Sequence, residues 1–233
     1  MNVDADEIRK FESLAHRWWD PDSEFKPLHD INGVRLNYIN DRAPVAGRQV
    51  VDVGCGGGIL TQSLAELGAD ATGVDPATGP LTVAKLHAME TGMADSIRYI
   101  ETTPEAFAEQ EPASFDVVAA LEMLEHVPDF GSTVNALATL ARPGGDVFFS
   151  TINRHPKAYL MAILGAEYVL NLLPRGTHDF DKFIKPSELA RAVRAAGMTV
   201  EDLRGYSYNP FKRSCKLTSD VDVNYLLHAR KPG

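Results

Sequence analysis

The 233 residues are 44% hydrophobic and 24% charged, the balance of one soluble globular domain with an ample core. A formal charge of −9, with no basic tract and no interleaving of aromatic and basic residues, argues against nucleic acid as a partner. Two cysteines, Cys55 and Cys215, make no disulfide framework and no Cys/His spacing suggests zinc, while Met1 to Lys10 resembles neither a secretory signal nor a transit peptide, so the chain reads as mature from Met1 and cytoplasmic.

Residues 1 to about 45 lie outside any strand and helix alternation. Within them Ile8, Phe11, Leu14, Ala15 and Trp18 recur at helical spacing, which predicts an amphipathic segment anchored in the core by Trp18 and Trp19. Strands are predicted over Gln49–Val53, Asp70–Val74, Ile97–Ile100, Phe115–Leu121 and Asp146–Ile152, with helical patterns between them as in βαβ units. The near-continuous apolar run Phe115–Leu121 predicts a strand covered on both faces, as parallel sheets require. Residues 153–185 interrupt the alternation. Beyond Pro186, a short helix over Ser187–Ala196 stops at Gly197, and strands follow over Thr199–Tyr206 and Val221–Ala229. The expected fold is α/β: a seven-stranded, mostly parallel sheet with helices on both faces. It forms a single domain over 1–233, with an N-terminal helical extension (1–45) and a substrate or lid insertion (153–185).

The first strand runs into Asp52-Val53-Gly54-Cys55-Gly56-Gly57-Gly58. Glycine reaches positive φ cheaply and has no Cβ, so alternate glycines after a strand permit a tight turn whose backbone approaches a ligand. A dinucleotide fingerprint starting at Gly54 needs glycine at position 59, where this chain has Ile59. The pattern Asp52-x-Gly54-x-Gly56-x-Gly58 instead resembles the first motif of class I methyltransferases, which implies a Rossmann-like fold and S-adenosylmethionine as ligand. Asp75 ends the second strand, 21 residues after Gly54, where a carboxylate can accept both ribose hydroxyls.

More specific segments occur together in order: Phe11 to Trp19, Glu24-Phe25-Lys26-Pro27-Leu28-His29, the glycine loop, Glu122-Met123-Leu124-Glu125-His126-Val127-Pro128, Gly176-Thr177-His178-Asp179 and, near the end, Asp222-Val223-Asn224-Tyr225. From about residue 5 to 230 the chain resembles the ubiquinone-biosynthesis O-methyltransferase family. The resemblance implies methyl transfer to phenolic hydroxyls of two polyprenylated acceptors, a 2-polyprenyl-6-hydroxyphenol and a 3-demethylubiquinol, and a place in a ubiquinone-biosynthesis complex. Its cofactor positions fall on Arg35, Gly54, Asp75 and Leu121, beside Asp52 and Gly56 of the loop. Arg35 is expected to clamp the methionine carboxylate, the plainer alternative being a surface salt bridge. Leu121 is expected to pack the cofactor; by composition alone it is a core residue.

A neutral phenol with a pKa of about 10 is a poor nucleophile at pH 7, so the site needs a group that takes or polarises its proton. Glu122, Glu125 and His126 follow the fourth strand, on the side where acceptors bind in such sheets. If a helix begins there, i, i+3 and i+4 spacing puts all three on one face, able to hold a divalent cation such as Mg2+ that ionises a chelated catechol. Two alternatives stay open: His126 as a metal-free general base, and acids at a helix start beside a hydrogen-bonded core histidine.

In the insertion, Ala158 to Leu173 is apolar but shorter than the roughly 20 residues of a membrane span. It reads as a lid over the acceptor or as an interfacial helix. Arg154, Lys157 and Arg175 flank it and suit a peripheral contact with anionic lipids on the inner face of the membrane, where a polyprenyl substrate dissolves. His178 and His155 read as turn and loop histidines. Rival functions are a small-molecule methyltransferase of other specificity acting without metal, and a non-catalytic S-adenosylmethionine-binding scaffold subunit.

Overall fold

The computed structural model describes residues 2–160 and 179–233. Strands β1 (Gln49–Val53), β2 (Asp70–Asp75), β3 (Ile97–Glu101), β4 (Phe115–Leu121), β5 (Ala141–Ile152), β6 (Thr199–Asn209), β7 (Ser214–Thr218) and β8 (Asn224–Arg230) form one sheet in the order β3-β2-β1-β4-β5-β8-β6-β7. The pairs from β3 to β5 are parallel, and those joining β8, β6 and β7 are antiparallel. The sheet therefore has eight strands where seven were expected. The additional one, β7, is an edge strand: β6 continues to Asn209, turns through Arg213 at φ 46°, and pairs back with Ser214–Thr218. Its half-exposed, lysine-bearing sequence carries little strand signal.

Alternation of side chains across the pleat explains the two-sided core. Val50, Val117, Ala119 and Phe148 join one buried cluster, packed by α2 (Lys26–Arg42) and α3 (Ile59–Glu66). Val51, Val118, Ala120 and Phe149 join the other, packed by α5 (Pro104–Gln110), α6 (Phe130–Leu140) and the helix Pro186–Ala195. Each fully buried Val, Leu or Phe contributes about 1.5–3 kcal/mol, which makes the central strands the most firmly held part of the sheet.

The chain leaves β1 towards β2 and β3 on one side, then returns to place β4 on the other. That reversal opens a crevice above the carboxyl ends of β1 and β4. The N-terminal segment covers it: α1 (Ala5–Leu14), capped by the Asp4 carboxylate, runs into a 3-10 turn at Ala15–Arg17. Among the described residues no helix is long and apolar enough to cross a membrane.

Candidate active site

The glycine loop has the backbone that its sequence demands. Gly54, Gly56 and Gly58 stand at φ 75°, 52° and 85°, where any side chain is strained. Gly54 and Cys55 donate their amides to Val74 O at 2.8 and 3.1 Å, which ties the loop to β2. The Asp75 carboxylate accepts from Gly56 N at 2.9 Å and Ala77 N at 2.8 Å. Gly57 has an ordinary φ and is glycine for a different reason: the indole of Trp18 lies against it so closely that a Cβ would overlap the ring. Trp19 donates Nε1–H to Gly57 O at 2.9 Å. Trp18 is a buried anchor as its spacing suggests, Trp19 is half-buried beside it, and what they anchor is a cover over the loop.

Arg35 is buried on α2 and lines the cavity above the loop together with Asp52, Asp75 and Leu121. Its Nη2 donates to Leu28 O at 3.4 Å and Asn32 Oδ1 at 3.2 Å, both neutral, and its Nε has no hydrogen-bond partner among the described residues. It is no surface salt bridge. A buried donor left unpaired costs about 1–3 kcal/mol, so the site favours an anionic ligand that pairs with this guanidinium. Asp52 accepts from Thr61 Oγ1 at 2.7 Å, and burial pushes its carboxyl up to about 6 despite Arg35. Burial likewise raises Asp75 to about 6 against the pull of its two amide donors.

Beyond Leu121 the chain does not begin an α-helix. Glu122 stands at φ 55°, and Leu124–His126 forms one 3-10 turn before the Asp129-capped α6. The expected single face is therefore absent, and the three side chains part company. Glu122 Oε1 accepts from Ser150 Oγ at 2.6 Å and Tyr206 OH at 2.7 Å. Glu125 is not among the residues that line the cavity and accepts from Thr151 Oγ1 at 2.8 Å; burial, then the charge of Glu122, raises it to about 7. His126 lines the cavity with Glu122, and its Nδ1 lies 3.0 Å from Glu7 Oε2. Among the described residues no three His, Cys, Asp or Glu side chains group so as to hold a metal ion. The expected Mg2+ donor set of Glu122, Glu125 and His126 is thus corrected: its members serve three different partners.

Several participants carried no local sequence signal. Glu7 sits in the first turn of α1, where an acid is read as helix-dipole stabilisation, and it approaches His126 from 119 residues away. The hydrogen bond from His126 holds its carboxyl down to about 2. Ser150 and Tyr206 come from β5 and β6. Phe11 packs edge-on to His126, ring centroids 5.2 Å apart. The only available hint was the helical spacing that puts Ile8 and Phe11 on one face of α1; both line the cavity.

The apolar run lies outside the described residues from Met161 onward, as does His178. At its start Tyr159 and Leu160 are exposed. Two of the flanking cations are already engaged: Arg154 pairs with Glu188, and Lys157 with Asp220 and Asp222. His155 caps the turn at Pro156–Ala158, accepting from Lys157 N at 3.3 Å, as a loop histidine does.

A family model described as a methyltransferase domain matches residues 32–203. Over 232 residues the chain is 58% identical to a ubiquinone biosynthesis O-methyltransferase of Saccharophagus degradans, covering 99% of this chain and 98% of that one. It is 60% identical over 226 residues to the protein of the same name from Pseudomonas syringae pv. tomato, covering 97% of each. Among solved structures, the magnesium protoporphyrin IX methyltransferase of Synechocystis PCC 6803 with bound S-adenosylhomocysteine superposes with a TM-score of 0.67 at 16% identity, over 96% of this chain and 94% of that chain. A SAM-dependent methyltransferase from Aquifex aeolicus gives 0.62 at 12% identity over 98% of each. These two distant likenesses speak to the fold.

Proposed function

This chain belongs to the ubiquinone biosynthesis O-methyltransferase family, and within that family's reaction we propose that His126 takes the phenolic proton while Arg35, Asp75 and the glycine loop hold S-adenosylmethionine. The acceptors are the phenolic hydroxyls of 2-polyprenyl-6-hydroxyphenol and 3-demethylubiquinol. The observation that carries the reading is the position of His126: it lines the same cavity as Arg35 and Asp75, with Nδ1 engaged and Nε2 without a partner among the described residues.

Bound S-adenosylmethionine supplies a methyl group activated by a sulfonium. The residues present fit it. Arg35 would offer its Nε, unpaired among the described residues, to the methionine carboxylate, Asp75 would take the ribose hydroxyls, and Leu121 gives an apolar wall. As the acceptor's O–H proton passes to His126 Nε2, the freed oxygen pair forms the O–CH3 bond and the C–S pair stays on sulfur. A positioned base of this kind contributes typically 100- to 10,000-fold. Glu122, braced by Ser150 and Tyr206, lines the same cavity as His126. The donor arrangement does not fit a divalent cation, because Glu122, Glu125 and His126 turn to separate partners.

We read the insertion as the shelter of the isoprenoid tail, in peripheral contact with anionic lipid; its apolar composition supports this, and flotation with liposomes tests it. The test of the reaction is incubation of a short-chain prenyl catechol with methyl-labelled S-adenosylmethionine. A mono-O-methyl product formed one-to-one with S-adenosylhomocysteine is expected. Cofactor binding without turnover would instead mark a scaffold subunit.

A further inference from the structure

We propose that Glu7 is a positioning residue of the reaction: carried across the cavity on α1, it fixes the tautomer and orientation of His126, so that the base is complete only when the N-terminal helix is seated. The inference rests on the reading of His126 as the base.

A carboxylate only accepts hydrogen bonds, so the 3.0 Å contact between Glu7 Oε2 and His126 Nδ1 places a proton on Nδ1 and, in the neutral ring, leaves the lone pair on Nε2, the nitrogen a phenol must reach. The pair is shielded. The Glu7 and His126 side chains are 18% and 20% exposed, unlike a solvated surface ion pair, and Phe11 closes one side of the ring. A carboxylate behind an imidazole is the arrangement that keeps a general base in its productive tautomer.

The seating of α1 is itself built in. At its N-terminal end Asn2 Nδ2 donates to Asp129 O at 2.8 Å and Thr133 Oγ1 at 3.0 Å, and Lys182 Nζ donates to Asp4 Oδ2 at 3.1 Å and Glu7 Oε1 at 3.4 Å. At its other end the Glu12 carboxylate accepts from Gly79 N at 3.0 and 3.1 Å. The helix thus bridges from the start of α4 (Thr78–Glu90) to the loop that carries His126. Glu7 lies midway in this strap and is shared between the latch to Lys182 and the base. Closure of the cavity and completion of the base become one event, which limits proton abstraction to the covered site.

The experiment compares Glu7→Gln, Glu7→Ala, Lys182→Met and His126→Ala in the full chain, using a short-chain prenyl catechol and S-adenosylmethionine, with folding and S-adenosylhomocysteine affinity measured for each. Nitrogen-15 spectra of histidine-labelled protein with S-adenosylhomocysteine bound report the His126 tautomer. The expected result is a kcat loss of at least about tenfold in both Glu7 variants with cofactor KM within about twofold and loss of the pure Nδ1–H signature, against a smaller kcat loss in Lys182→Met, which loosens the latch but keeps that signature. Wild-type kcat and tautomer in the Glu7 variants, while His126→Ala is inactive, would overturn the role of Glu7 and leave the base standing. Equal losses in Lys182→Met and Glu7→Ala would reduce Glu7 to a latch. Full turnover by His126→Ala would remove the underlying reading.

Discussion

The indole of Trp18 and the backbone of Gly57 are packed face to face, with no room for a side chain between them. Gly57→Ala is therefore expected to unseat the N-terminal cover, at a cost of about 1–3 kcal/mol from overpacking. Removing the ring relieves the clash, so in a double-mutant cycle read by urea unfolding Trp18→Ala should lessen the penalty of Gly57→Ala. Strict additivity of the two would show that the contact is not the reason for glycine here.

Arg35 makes a prediction about ligand chemistry. With its guanidinium unpaired by any acid among the described residues, Arg35→Met is expected to weaken S-adenosylhomocysteine about 10- to 100-fold, the loss of a hydrogen bond to a charged group. Methylthioadenosine, which lacks the amino-acid portion, should bind wild type and variant within about twofold in the same calorimeter. An equal loss for both ligands would assign Arg35 to the fold of the pocket.

Asp75 lends cofactor binding a pH dependence. In the proposed contact its carboxyl, raised by burial to about 6, accepts the ribose hydroxyls in its ionised form. Affinity for S-adenosylhomocysteine is expected to climb between pH 5 and 7, by up to tenfold per unit for each proton released, and to level off above the titration of Asp75. Asp75→Asn should bind weakly and lose that part of the climb. A flat wild-type profile would contradict the assigned contact.

How legible the molecule was from its sequence depended on distance along the chain. β4 and the glycine loop were readable because their signals are local: an unbroken apolar run, and glycines where φ is positive. The turn after β4 departs from the helical spacing that would put Glu122, Glu125 and His126 on one face, because the left-handed backbone of Glu122 breaks it, and side-chain spacing carries no sign of that φ. The partners of that turn were invisible for another reason. Glu122 meets Ser150 and Tyr206 across 28 and 84 residues, and no pattern in any one segment announces those meetings. β7 escaped because an exposed edge strand needs no apolar alternation.

Glu125 gives a stability test with a definite sign. Its carboxyl titrates at about 7 in the fold and near 4.5 when unfolded, so ionising it in the folded protein costs stability that is fully felt above pH 7 and absent below about 4.5. Glu125→Gln keeps an acceptor for Thr151 and removes the charge. Its melting temperature is expected to exceed wild type by several degrees at pH 8, with the gain fading as pH falls through this window. A destabilised variant at pH 8 would mean that the carboxylate is held ionised by contacts stronger than its burial.

The most direct test of the central claim pairs His126→Ala with two acceptors, a prenyl catechol and a nitrocatechol acidic enough to be ionised at neutral pH. If His126 removes the phenolic proton, kcat on the catechol falls about 100-fold or more, kcat on the nitrocatechol stays near wild type, and affinity for S-adenosylhomocysteine is unchanged. Equal losses on both acceptors, or none on either, would contradict His126 as the base.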